Sequence, residues 1–176
     1  MNTAQDYFSL FSLPRSFDVD KSALRARYRE LQGESHPDRL AAASEAEKLA
    51  AVQLSSRLND AFATLKEPLS RAAYLLELAG VNVAEVSQSD LNMEVLLEQM
   101  QLREAVAEAP EGEAGLSVLL PLKADIGARL EAGHQRFADS LEADELERAK
   151  QCFHELQFLD KLFREIEASE ETRLGY

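Results

Sequence analysis

Two groups able to move a proton, an imidazole and a carboxylate, flank a proline in the string His36-Pro37-Asp38. Used as an acid–base pair, they would need a nucleophile, a substrate pocket or a metal within reach. The surrounding residues offer none of these, so the chain is not expected to be an enzyme. Proline restricts the backbone of such a string, and the two flanking side chains can then hydrogen-bond or pair with groups on another protein. The tripeptide alone is weak evidence, since chance would place it in roughly one in a hundred chains of this length. Other chemistry is sparse: one cysteine, Cys152, cannot form an internal disulfide, and three scattered histidines without a CxxC pair do not make a structural zinc site. No cofactor is implied.

The elements that must position the tripeptide are helices. Ala, Leu, Glu, Gln and Arg dominate the chain and no stretch alternates apolar and polar β-formers, so propensity and pattern together predict an all-α fold. A short first helix is predicted over about residues 4–11, ended by Leu13-Pro14. The second starts near Asp20, a suitable N-cap, carries Leu24, Tyr28 and Leu31 on one face, and cannot pass Pro37. The third is expected from about Ser44 to Leu65, with Leu54, Leu58, Phe62 and Leu65 as its apolar stripe. These two form an antiparallel hairpin with the tripeptide in the connecting loop. Pro68 suits the first turn of a fourth helix that Gly80 closes.

On the second helix Lys21, Arg25, Arg27 and Arg29 form a basic cluster with no acid among them. With this helix before it, Arg39 after it, and a third helix ending Asn59-Asp60-Ala61-Phe62-Ala63-Thr64-Leu65, the tripeptide acquires a context. Residues 1–76 resemble a J-domain, the module whose His-Pro-Asp loop and preceding basic helix engage DnaK-type chaperones. The resemblance implies that His36, Pro37 and Asp38 make the contact that triggers the partner's ATP hydrolysis and that Arg25, Tyr28 and Arg29 lie on the docking helix. Just before the tripeptide stand Gly33, Glu34 and Ser35, where J-domains often carry basic and aromatic residues.

Residues 77–89 read as a helix end and linker. Beyond them, segments of about 90–108, 116–141 and 143–168 have helical periodicity, and their short connections predict a three-helix bundle over 90–170. At 100° per residue, Val95, Leu102 and Val106 lie within about 20° of one direction, whereas Met93, Leu96, Leu97 and Met100 point about 100° to 200° away. A helix with two apolar faces either lies centrally in the fold or keeps one face for a partner. In the last helix Ala149, Cys152, Leu156, Leu159 and Phe163 form one stripe, while Phe158 falls beside Leu162 on another face. Cys152, on the stripe, reads as a packing residue.

The segments Tyr7-Phe8-Ser9-Leu10-Phe11-Ser12-Leu13-Pro14, Arg71-Ala72-Ala73-Tyr74-Leu75-Leu76, Leu97-Glu98-Gln99-Met100-Gln101-Leu102-Arg103-Glu104 and Phe158-Leu159-Asp160-Lys161-Leu162 together resemble the HscB family of bacterial co-chaperones. The match runs along essentially the whole chain. It implies that the bundle binds IscU, the scaffold on which iron–sulfur clusters are built, and delivers it to the chaperone HscA. The family's apolar scaffold-binding positions fall on Leu96, Leu97, Met100 and Phe158, residues already set apart by helix angle. Arg103 and Glu104 are implied as flanking charged contacts, and a family acidic position is Gln101 here.

Charge excludes other partners. The formal net charge is -13, which repels phosphate backbones, so nucleic acid is not expected. Residues 1–80 hold ten Lys and Arg against eleven Asp and Glu, and residues 81–176 hold nine against twenty-one, which suggests two units with separate surfaces. No apolar run approaches the roughly 20 residues of a membrane span, and Asp6 precedes any signal-like stretch, so a cytoplasmic monomer is expected.

Overall fold

A computed structural model describes residues 5–34, 44–83 and 93–174, and within these every regular element is a helix. They run α1 (Tyr7–Leu10), α2 (Lys21–Glu34), α3 (Glu45–Lys66), α4 (Pro68–Leu78), α5 (Met93–Ala107), α6 (Glu113–Glu142) and α7 (Leu146–Leu174). The chain divides into two compact units, Met1–Leu78 and Ala79–Tyr176.

Local signals start and stop the helices of the first unit. The Asp6 carboxylate caps α1 by accepting from the Ser9 N–H at 2.9 Å and also pairs with Arg15 at 2.7 Å. Burial alone would raise its pKa, but these hydrogen bonds outweigh it and hold the group below its ordinary value. Asp20 accepts from the N–H groups of Ser22 and Ala23 at the start of α2. Ser44 and Glu47 form a reciprocal capping box at the start of α3. Pro68 occupies the first position of α4, where its missing N–H costs nothing, and Gly80 follows the helix at φ 83°.

The first unit is sealed by aromatic rings. Phe8, Phe11, Phe17, Leu24, Leu58, Leu65, Leu75 and Leu76 are all buried. Tyr7 stacks on Tyr74 at 4.5 Å between centroids, and the Tyr74 hydroxyl accepts from the Tyr7 N–H at 3.0 Å. Tyr28 stacks on Phe62 at 4.2 Å and ties α2 to α3. Arg71 is buried to 4% exposure, yet its Nη1 donates to the Leu65 carbonyl at 2.6 Å, satisfying a group left over at the end of α3. Its guanidinium also lies over the Phe17 ring, 4.9 Å from the centroid.

One expected core position is not in the core. Leu54 is 42% exposed, although Leu58 and Leu65 of the same predicted stripe are buried. The reason is length: α3 has 22 residues against 14 in α2, and Tyr28 and Gln32, near the end of α2, meet α3 at Asn59 and Phe62. The early turns of α3 therefore run past the helix that buries the later ones, leaving Leu49 and Val52 exposed as well.

In the second unit α6 and α7 form an antiparallel hairpin. Its pairings run outward from the turn: Arg136 with Glu155, Gly133 against Leu156, Gly127 against Phe163, and Lys123 with Glu170. Gly133 permits a close approach, since a Cβ there would stand 2.9 Å from Leu156 Cδ2. Leu119, Ile126, Leu159, Leu162 and Ile166 make the buried centre, and Leu102, Val106 and Ala109 from α5 and the residues after it pack on it. The helices extend past the predicted limits: α6 starts at Glu113 and α7 continues to Leu174. Continued pairing explains the added turns of α7, because Lys123 of α6 bridges Glu167 and Glu170 beyond the last apolar core residue.

Candidate protein-binding surfaces

On the first unit, Lys21, Arg25 and Arg29 follow one another at i, i+4 and i+8, so they share a face of α2, and all three are exposed. Arg27 belongs elsewhere, paired with Glu30 at 2.5 Å and reaching the Ser12 hydroxyl at 3.4 Å. The basic cluster thus resolves into a three-residue stripe and one internally neutralised arginine. Lys21 belongs to the stripe but was not among the expected docking residues; its i, i+4 relation to Arg25 is the signal that finds it.

Tyr28 is half-buried rather than displayed. Its ring is committed to Phe62, its hydroxyl donates to Asn59 Oδ1 at 2.7 Å, and Gln32 Nε2 donates to that hydroxyl at 2.5 Å. Its main contribution in this geometry is to hold α2 against α3. His36, Pro37 and Asp38 belong to the segment joining these helices and lie outside the described residues.

On the second unit, α5 presents two different edges. Leu102 and Val106 pack on the core. Met93, Leu97 and Met100, at i, i+4 and i+7, are 70%, 51% and 68% exposed. Glu104 continues that stripe one turn further on and is exposed too. Met93 was not among the expected scaffold-binding residues, although its helix angle groups it with the others.

Leu96 and Arg103, seven residues apart, share the edge beside this stripe. Leu96 is half-buried, and the Arg103 guanidinium lies over the Phe158 ring at 5.8 Å from its centroid. Phe158 shares its face of α7 with Leu162, as its helix angle predicts, and that face is packed rather than free. It is half-buried and packs against the core cluster, while its neighbour Leu162 is a core residue at 1% exposure. A wide arc of α7 is buried because α6 and α5 both pack against it, so one apolar stripe does not exhaust its inward face. Arg103 and Phe158 therefore join α5 to α7 at the margin of the exposed stripe.

Cys152 is buried, and its burial raises the thiol pKa despite nearby Arg136 and Ser140. A thiol kept protonated in the interior acts as a small apolar group. Among the described residues, no cluster of His, Cys, Asp and Glu could hold a metal ion, and no helix is long and apolar enough to cross a membrane.

Residues 91–167 match the family model described as the HSCB C-terminal oligomerisation domain. A co-chaperone protein HscB homolog from Azoarcus sp. strain BH72 is 44% identical over 165 residues, covering 93% of this chain and 92% of that one. The chain belongs to the HscB family of co-chaperones. Solved HscB structures agree along the same length. Chaperone HscB from Vibrio cholerae superposes with a TM-score of 0.83 at 35% identity, covering 96% of this chain and 99% of that one. The human co-chaperone HscB does so with a TM-score of 0.87 at 30% identity, covering 97% and 84%. With the HscB fold established, the first unit is the J-domain and the second the C-terminal helical bundle.

Proposed function

We propose that this HscB-family protein binds the iron–sulfur scaffold IscU on α5 and delivers it to the DnaK-type chaperone HscA, whose ATP hydrolysis its J-domain stimulates. The observation that carries this is the division of α5 into a packed edge and an exposed apolar stripe, on a unit distinct from the one bearing the basic stripe of α2. An apolar stripe of two methionines and a leucine bordered by Arg103, Glu104 and the Phe158 ring has the make-up of a protein-binding surface: adaptable apolar area with a polar margin. Leu96 and Phe158 form its partly buried floor, and Leu97 and Met100 its exposed centre.

In the J-domain, Lys21, Arg25 and Arg29 steer an acidic surface of the chaperone onto α2. Tyr28 keeps the hairpin rigid, and His36, Pro37 and Asp38 make the contact that triggers hydrolysis. No reaction is carried out by this chain; the ATPase chemistry belongs to the chaperone. Joining both binding surfaces in one cytoplasmic chain raises the concentration of scaffold beside the chaperone.

The test is the ATPase rate of purified HscA-type chaperone with this protein, with and without IscU, beside the His36→Gln variant. Stimulation should depend on His36 and rise further with IscU, while the variant still binds IscU. Stimulation indifferent to IscU would leave a general J-domain co-chaperone, and none at all would remove the J-domain role.

A further inference from the structure

Helix α5 has 15 residues, a length marginal for an isolated helix in water. Its described apolar attachment to the core comes from Leu102 and Val106, together with Ala109 just past its end. The exposed stripe Met93, Leu97 and Met100 lies mostly on the other half. The helix thus acts as a lever whose named core contacts lie at its C-terminal end, with Val95 and Leu96 half-buried in the other half beside the exposed stripe. Whatever fixes the C-terminal end helps to set where the surface points.

Arg173, in the last turn of α7, holds that end. Its Nη2 donates to the carbonyls of Ala109 and Pro110, both at 3.2 Å, and its Nε donates to Pro110 at 3.2 Å. The guanidinium is itself aimed by its own helix, with Nη1 donating to the Ser169 carbonyl at 3.3 Å and to the Ser169 hydroxyl. These donors serve the carbonyls just beyond α5, where a chain leaving a helix lacks partners. Gly115 completes the fit from the side of α6. A Cβ there would overlap the Pro110 carbonyl oxygen and stand 2.7 Å from Arg173 Nε, so a larger residue would displace the contact. Midway along α5, Glu98 pairs with Arg129, which Asp125 also holds at 2.8 Å, giving the lever a second tether to α6.

We propose that Arg173, seated against Gly115, is a positioning residue for the scaffold-binding face of α5: it latches the end of that helix to α7 and so sets the stripe in its binding orientation. This rests on the assignment of α5 as the scaffold-binding helix.

The experiment uses the full chain and purified IscU, with Arg173→Ala, Gly115→Ala, Arg173→Lys and, as a marker of the face, Leu97→Ala. Amide hydrogen exchange is read along α5 without any partner. In Arg173→Ala and Gly115→Ala, the α5 amides should exchange about tenfold faster while those in the paired turns of α6 and α7 keep their rates. Affinity for IscU should fall about fivefold to tenfold, chiefly through faster dissociation, with unchanged stimulation of the chaperone in the absence of IscU. Arg173→Lys, which keeps the charge but loses the planar fork, should recover part of the loss. Unchanged α5 exchange, or faster exchange spread through α6 and α7, would overturn the latch. So would unaltered IscU affinity in Arg173→Ala while Leu97→Ala binds weakly, and that pattern spares the assignment of the face. If Leu97→Ala also binds IscU normally, the face assignment itself fails and the latch with it.

Discussion

Arg71 does in the J-domain what a hydrophobic residue of the same size could not. Its guanidinium lies over Phe17, one nitrogen satisfies the Leu65 carbonyl, and Asp18 and Glu67 offset part of its charge. Burial lowers its pKa, and the two carboxylates act in the opposite direction. Removing a buried charge can relieve desolvation, but here it also strands a carbonyl at a helix end. We expect the second effect to win: Arg71→Met should destabilise the J-domain by about 2 kcal/mol, read as faster exchange of α3 and α4 amides with α6 and α7 unaffected. Equal or greater stability would mean that desolvation dominates. The identity of this residue was plain in the sequence, but its role was not. Nothing in the spacing of Arg71 shows that α3 ends at the point where its side chain can reach Leu65.

At the scale of elements, the two edges of α5 should respond differently to substitution. Leu97→Ala with Met100→Ala removes exposed surface, so it should leave the unfolding midpoint unchanged while weakening IscU binding by about 2 kcal/mol. Leu102→Ala removes a packed side chain and should lower stability by about 2 kcal/mol or more. The pair is checked by denaturant unfolding and titration calorimetry, and a binding loss without the first substitution's stability being preserved would count against an exposed binding stripe. This division of α5 was legible because helix angle alone separates Met93, Leu97 and Met100 from Leu102 and Val106. Helix starts at Asp20, Ser44 and Pro68 were legible for a similar reason, since a cap is a short-range event. The burial of Leu54 and Phe158 was not legible, because it depends on how far a neighbouring helix extends and how many helices pack on one side. Those are properties of the assembled unit that no single-helix periodicity contains.

For the whole molecule, the charge division follows the structural one: the near-neutral sequence belongs to the J-domain and most of the acidic excess to the bundle. The family description of the bundle nonetheless speaks of oligomerisation, and the bundle exposes apolar side chains, Met93, Leu97 and Met100 on α5 and Val118 and Leu120 on α6. Acidic bundles repel one another, and three side chains on one helix make a small patch for a stable dimer. Light scattering across a dilution series should therefore return the monomer mass of 19.6 kDa throughout. A mass that doubles with concentration, and returns to the monomer value in Leu97→Ala with Met100→Ala, would instead make self-association a competitor of scaffold binding.

The contacts made by Arg173 also set an order in time. Its partners Ala109 and Pro110 precede it by 64 and 63 residues. At synthesis rates of about 5–20 residues per second, α5 waits roughly 3–13 seconds after it is made before its anchoring side chain exists. The α6–α7 hairpin is local in sequence and forms readily once both of its helices are present. If Arg173 latches α5 as proposed, the growing chain has its apolar stripe during that interval without this contact, and a nascent bundle reaches its full affinity for a client only as the end of α7 appears.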